Sequence, residues 1–393
     1  MKRFAHPRWV AVILVVLLAG SLGFAADTPN QKNAKFTYQA APKVIHDVLG
    51  SRPTPQLLLA PTRDRALAVE VLRQPPLSDL AQPMLRIAGL RINPATNGPH
   101  HPLHVVGLSV VTIEGGKSAK VALPPNPWIS GPQWSADGKH FAFLRYLPAG
   151  IELWVGEAAT ATAHAIGGVK VNAAYREPFN WMGDNKTLLV QTVPAGRGKA
   201  PEEARVPAGP NVQESAGKVA PIPTYEDLLK DRHDEDLFDY YCTGQLNYVD
   251  VATGKATPVG KPGIFDQIDP SPDDKHILVA RLHKPYSYLI PAGEFPRTVE
   301  VWDRAGKVER QVADLPSHEG VPLEGVLTGP RNVGWRPTAA ATLVWAESLD
   351  GGNTRAKVPY HDRVVALAAP FQGEPVELTK VEFRLMSRGA GVG

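Results

Sequence analysis

The chain has 393 residues, 43% hydrophobic and 21% charged, the balance of a folded protein with ample material for a core. Its 42 basic residues nearly match its 39 acidic ones, and a net charge of +3 argues against nucleic acid or an anionic membrane as partner. Its 35 glycines and 38 prolines point away from a helical bundle and towards many turns.

The first residues read as an export signal. Lys2, Arg3 and Arg8 precede the apolar run Trp9 to Ala19, which is short for a bilayer span, and Gly23-Phe-Ala25 offers small residues for cleavage before Ala26. Residues 1–25 are therefore expected to be removed, with an uncleaved anchor as the alternative. Residues 26–393 are then one domain, exported to the periplasm or secreted, with no membrane contact after cleavage. The single Cys242 has no intramolecular partner and is expected to be a buried, inert thiol.

A recurring phrase follows. Gln133-Trp-Ser-Ala-Asp-Gly-Lys139 leads into His140-Phe-Ala-Phe-Leu144, and Asn180-Trp-Met-Gly-Asp-Asn-Lys186 into Thr187-Leu-Leu-Val-Gln191. Asp269-Pro-Ser-Pro-Asp-Asp-Lys275 leads into His276-Ile-Leu-Val-Ala280, and Gly334-Trp-Arg-Pro-Thr338 into Ala341-Thr-Leu-Val-Trp345. A degenerate copy, Leu59-Ala-Pro-Thr-Arg-Asp64, precedes Ala66-Leu-Ala-Val-Glu70. Each is a strand, a polar turn and a second strand. A second phrase pairs an alternating strand with a D-x-x-G-like turn: Leu153-Trp-Val155, Leu246 to Asp250, and Val299-Glu-Val-Trp-Asp303. Two hairpins per unit make a four-stranded antiparallel sheet, and such repeats are the mark of propeller blades. The fold class is all-β: an incomplete β-propeller of about five blades. Trp134, Trp181 and Trp335 open the first phrase, Trp154 and Trp302 close the second, and all are expected to fill the seams between blades.

One stretch breaks the pattern. Ala195 to Pro223 is rich in Gly, Ala, Pro and charge, and is expected to be a mobile surface excursion. Thr224-Tyr-Glu-Asp227 resembles a capping box, so one short helix is expected from Leu228-Leu229, with Leu237-Phe238 and Tyr240-Tyr241 returning the chain to the core. The insertion as a whole covers about 195–236.

No G-x-S-x-G elbow occurs, so no catalytic residue is assigned. His100-His101-x-x-His104 is broken by Pro99 and Pro102 and reads as a polar loop; no metal and no cofactor is expected. Gly196-Arg-Gly198-Lys199 is too short for a phosphate loop, and the acidic run Asp231, Asp234, Glu235, Asp236, Asp239 reads as a solvated face. Arg281-Leu-His-Lys-Pro-Tyr-Ser287 combines cationic groups and an aromatic, which suits it to neutralise an acidic side chain; a plain blade connection is the blander alternative.

Several strings resemble a known family. Pro75 to Pro83, Leu85-Arg-Ile-Ala-Gly-Leu-Arg-Ile-Asn-Pro94, Val206 to Pro210, Tyr225 to Asp231, Asp234 to Tyr241, Leu282 to Ser287 and Trp345 to Gly352 are similar to the glutamyl endopeptidases of the prolyl oligopeptidase family, including the chloroplast type. The resemblance runs from about Tyr38 to about Val381. It implies a propeller that gates access to, and helps bind, a peptide or protein substrate cleaved after acidic residues. It also implies a partner module, an α/β-hydrolase domain with a Ser-Asp-His triad, which these residues do not contain. On that reading the chain is the truncated, non-catalytic propeller of a secreted serine peptidase, and His283, Lys284 and Tyr286 are the expected substrate contacts. The alternative is a self-standing periplasmic propeller that binds proteins or peptides without catalysis.

Overall fold

The computed structural model describes residues 41–203 and 224–385, so the expected export signal lies outside the described residues. The chain divides into a unit ending at Ser51 and a unit from Arg52 onward. In the first, the described part is the short helix α1 (Lys43–Leu49), which has no buried residue.

The second unit is a β-propeller. Its first blade begins with β1 (Gln56–Leu59) and β2 (Arg65–Val71). An excursion then carries helix α2 (Leu77–Leu80) and a small sheet, β3 (Leu85–Ile87), β4 (Leu90–Asn93) and β5 (Gly98–Pro99). β6 (Val105–Thr112) and β7 (Ser118–Lys120) complete the blade. The second blade is β8 (Ile129–Trp134), β9 (His140–Leu147), β10 (Gly150–Glu157) and β11 (Thr162–Ala165). The third contains β12 (Phe179–Trp181), β13 (Thr187–Thr192), helix α3 (Arg232–Cys242), β14 (Gly244–Asp250) and the first half of β15 (Ala256–Pro270). The second half of β15 opens the fourth, with β16 (His276–Leu282), β17 (Arg297–Asp303) and β18 (Val308–Leu315). The fifth is β19 (Arg331–Trp335), β20 (Thr342–Ser348), β21 (Asp362–Ala368) and β22 (Val376–Val381). The five expected blades are present.

The repeated phrase has one physical cause. The first turn of blades one to four needs a residue in the left-handed region at the same position, filled by Arg63, Gly138, Asn185 and Asp274 at φ of 60°, 65°, 57° and 60°. In blades two and four the turns are bonded alike. Ser135 Oγ donates to Asp137 and accepts from the His140 amide, and Ser271 does the same with Asp273 and His276. Neighbouring turns are also stitched together. The Asp137 amide donates to Asn185, the Gly183 amide to Asp274, and the Asp273 amide to the Ala340 carbonyl.

Apolar clusters fill each seam between consecutive blades, and the tryptophans sit in them as expected. Trp134 and Trp154 lie between blades one and two, Trp302 between three and four, and Trp335 and Trp345 between four and five. Trp181 packs at the edge of the cluster between two and three.

The two faces of the propeller are unequal. Antiparallel order puts the first and third connections of every blade on one face, where they are mostly tight turns. The second connection, and the passage to the next blade, lie on the other. The long excursions 72–104, 193–243 and 283–296 are all second connections, so they meet on one side. Together they form a cap with its own core: Ile87 and Ile92 from the first, Phe238 and Tyr241 from the second, Ile290 and Phe295 from the third.

The excursion 193–243 corrects one expectation. The helix starts at Arg232 rather than near Leu228, because Asp231 caps it, accepting from the Asp234 amide at 2.9 Å. Thr224 caps nothing in this arrangement; Leu229 precedes the helix and is buried, and Phe238 and Tyr241 are on the helix itself. At the start of the stretch expected to be mobile, Arg197 donates to Asn97 Oδ1 at 2.5 Å and to the Tyr240 carbonyl at 3.2 Å, and lies 4.0 Å from the Tyr240 ring centroid. Residues 204–223 lie outside the described residues.

Candidate functional site

The cap surrounds an open cavity of about 700 Å³, walled by Gly89, Leu90 and Arg91, by Arg176, by Tyr225 and by Pro291 among others. Its walls come from places distant in sequence, so the local reasons for each are separate.

The β3–β4 hairpin turns at Ala88-Gly89, both left-handed, at φ of 51° and 76°. Gly89 is required twice, for its conformation and because a Cβ there would lie 2.5 Å from Pro291 Cβ. The hairpin tip is pinned on both sides: the Gly89 amide donates to the Asp227 carbonyl, and the Ala292 amide to the Ala88 carbonyl, both at 2.8 Å. Arg91 then reaches Asp227 at 2.7 Å and Glu226 at 2.9 Å, and Arg86 lies 3.7 Å from Asp227. Two of the strings that carried the sequence resemblance, Leu85 to Pro94 and Tyr225 to Asp231, thus meet at this cavity.

The third wall is the passage from blade two to blade three. Asn172 is buried and bonded to Asn97 and to the Tyr241 and Thr243 carbonyls, and its Oδ1 also accepts from the Ala174 amide. Next come Tyr175, whose hydroxyl donates to Asp266 at 2.6 Å, and Arg176, whose Nε donates to the same carboxylate oxygen at 2.7 Å. Arg297 takes the other oxygen of Asp266. Burial, with the Asp266 charge beside it, pushes the Tyr175 phenol well above its ordinary pKa, so it stays a donor. Tyr225 donates to Glu294 at 2.9 Å; burial and that carboxylate raise its pKa too. Burial and the Arg297 charge lower the pKa of His318, and Glu294 opposes the shift.

The expected substrate contacts lie elsewhere in the cap. His283 Nε2 is 2.9 Å from Asp314, Lys284 Nζ is 2.8 Å from Asp239 and 3.5 Å from Glu235, and the Tyr286 hydroxyl donates to Asp239 at 2.6 Å. Tyr288 donates to Glu235 at 2.6 Å. Glu235 and Asp239, which take Lys284, Tyr286 and Tyr288, belong to α3, so these two members of the acidic run dock the 283–288 loop, while Asp314, the partner of His283, is on β18. Burial, with Asp239 and Cys242 nearby, raises the Tyr286 pKa strongly. Cys242 is buried, and that burial pushes its thiol far above the ordinary value.

His100 and His104 take separate partners: His100 the Gln82 carbonyl at 3.0 Å, His104 the Asp79 carboxylate at 3.0 Å while stacked on Trp128 at 4.7 Å. Sequence reading missed Tyr175, Arg176 and Asp266, which fall between the repeated phrases and carry no local pattern.

A propeller with one face capped by its own excursions around a charged cavity defines the class of this protein. No protein-family model matches the chain. It is 35% identical over 371 residues to a probable chloroplastic glutamyl endopeptidase of Oryza sativa subsp. japonica, covering 90% of this chain and 39% of that protein. It is 37% identical over 365 residues to the Arabidopsis thaliana counterpart, covering 88% and 38%. Among solved structures it is similar to the β-propeller domain of the trilobed protease from Pyrococcus furiosus, with 11% identity, TM-score 0.41, and coverage of 83% of this chain and 70% of that one. The chain is thus similar to these probable glutamyl endopeptidases over about nine tenths of its own length, and it spans about two fifths of the length of the curated relatives it matches.

Proposed function

We propose that this chain is the substrate-admitting propeller of an exported peptidase that cleaves after acidic residues, and that it binds peptide at the capped face without cleaving it alone. The observation that carries this is the 35–37% identity, over about nine tenths of the chain, to probable glutamyl endopeptidases. The gathering of every long excursion on one face, around a cavity large enough for several side chains, supports the binding part. The basic and apolar residues before Ala26 support export. The cleavage chemistry lies, in this reading, in a module outside these residues.

Incubating the purified chain with a fluorophosphonate probe and with glutamate-containing peptides tests it. Neither labelling of a serine nor peptide cleavage is expected, whereas labelled, active protein would overturn the non-catalytic reading. Sequencing the adjoining downstream DNA tests the missing module: a G-x-S-x-G coding frame is expected there. A downstream region without one would favour the self-standing binding propeller.

A further inference from the structure

We propose that Arg176 is the residue through which the cap holds a carboxylate, the side chain of a glutamate or aspartate in a bound peptide; the assignment rests on the peptide-binding reading above. Two guanidiniums line the cavity, Arg91 and Arg176. Arg91 is spent, because Asp227 and Glu226 occupy its Nε and Nη2. Arg176 is less fully used: its Nε donates to Asp266 and its guanidinium lies against Tyr175, 5.0 Å from the ring centroid, with no second carboxylate paired to it among the described residues. Its side chain is 46% exposed while Asp266 behind it is 11% exposed. A guanidinium bound at one edge presents its other edge as a planar fork, the geometry that takes a carboxylate in two parallel hydrogen bonds.

The charge arithmetic agrees. Asp266 faces two guanidiniums, and Arg297 is also held through the Gly293 and Phe295 carbonyls. Asp266 therefore serves two cations, Glu294 in the neighbouring turn accepts from Tyr225, and Arg176 rather than Arg297 is the guanidinium that lines the cavity. The carboxylates on the opposite wall, Glu226 and Asp227, are matched by Arg91 and Arg86.

The backbone supplies an independent argument. Arg176 sits at φ of 60°, a conformation that glycine adopts freely and a long side chain does not. The segment is held on both sides of it: the Ala173 amide donates to the Asn97 carbonyl at 3.0 Å, and Gln191 bonds the Glu177 and Pro178 carbonyls. The guanidinium is thus aimed before any ligand arrives, and Tyr175 and Asp266 act as positioning residues.

Equilibrium fluorescence anisotropy on the whole chain tests this, with a fluorescein-labelled hexapeptide carrying one central glutamate and its glutamine counterpart as probes. The native chain is expected to bind the glutamate peptide about tenfold more tightly, the range of a charge-assisted pair. Arg176→Gly, which suits the backbone, should bring that ratio to within about twofold with the circular dichroism spectrum retained. Arg176→Lys, which keeps the charge but loses the fork, should leave a ratio of about threefold. A ratio unchanged in either folded variant overturns the assignment. Equal binding of both peptides by the native chain overturns it while leaving the peptide-binding reading intact, and no binding of either peptide overturns both.

Discussion

At the scale of single residues, tryptophan does two jobs in the blades, and both use the indole N–H. Trp134, Trp181 and Trp335, on the first strand of their blades, donate to carbonyls of the preceding blade: Leu58 at 2.9 Å, Gln133 at 3.2 Å and Asp269 at 2.9 Å. Trp154, Trp302 and Trp345 instead donate to a glutamate two residues away, Glu152, Glu300 and Glu347, at 2.8–2.9 Å. Those glutamates are paired with Arg145, Arg281 and Arg363 from the adjacent strand. Trp134→Phe keeps the ring in its seam but strands the Leu58 carbonyl, at a cost of about 1 kcal/mol readable in denaturant unfolding. Asp350 makes a prediction about acid. Burial alone would raise its pKa, but hydrogen bonds from Arg384 and His361 outweigh it and hold the carboxyl at about 2, below the ordinary 3.8. Because the folded value is the lower one, the stabilisation is complete well above pH 3.8 and disappears as pH falls through about 2. The melting-temperature gap between the native chain and Asp350→Asn should therefore be wide at pH 6 and narrow steadily below pH 4. A gap independent of pH would refute the linkage.

At the scale of elements, the cap depends on α3 being clamped by the 283–288 loop. Phe238 meets Tyr286 and Phe295 edge-to-face at 5.1 and 5.7 Å, and Tyr286 and Lys284 both reach Asp239. A double-mutant cycle of Tyr286→Phe with Asp239→Asn should return a coupling of about 1 kcal/mol, the range of a partly buried bond to a carboxylate. A zero coupling would mean that this bond adds nothing to the aromatic contacts and the other ion pairs of the loop. The contrast between blades and cap also explains what the sequence made legible. A blade turn must place a left-handed residue and a polar side chain at fixed positions, so it draws mostly on a small set of turn-forming residues, as at Gly138, Asn185 and Asp274. The cap has no such constraint; its pieces come from three excursions and meet only in space. The misplaced helix start shows the difficulty: Asp227 has the spacing of a capping residue, yet it lies at φ of 60° and serves Arg91, while Asp231 performs the capping. Arg176 and Asp266 are 90 residues apart, and neither stands in a pattern that spacing could reveal.

At the scale of the whole molecule, stability follows from how many seams each blade shares. Blades two, three and four each contribute to two apolar clusters, while blades one and five contribute to one each, and among the described residues no cluster joins blade five to blade one. The burial along the strands agrees: all of β1 is exposed, as is nearly all of β22, whereas β13 and β16 are buried through their middles. In a repeat array whose free energy is a sum of units and nearest-neighbour seams, the end blades open at the lowest cost. Native-state hydrogen exchange should then rank the strands. β22 and β1 are expected to exchange first, through openings that leave the centre intact, and β13, β14, β16 and β17 last. Trp134→Phe should accelerate β1 further and leave β16 unchanged, because the bond it removes lies only in the seam between blades one and two. Protection of β1 equal to that of β16 would show instead that the blades unfold as one unit, with each seam too strong to fail alone.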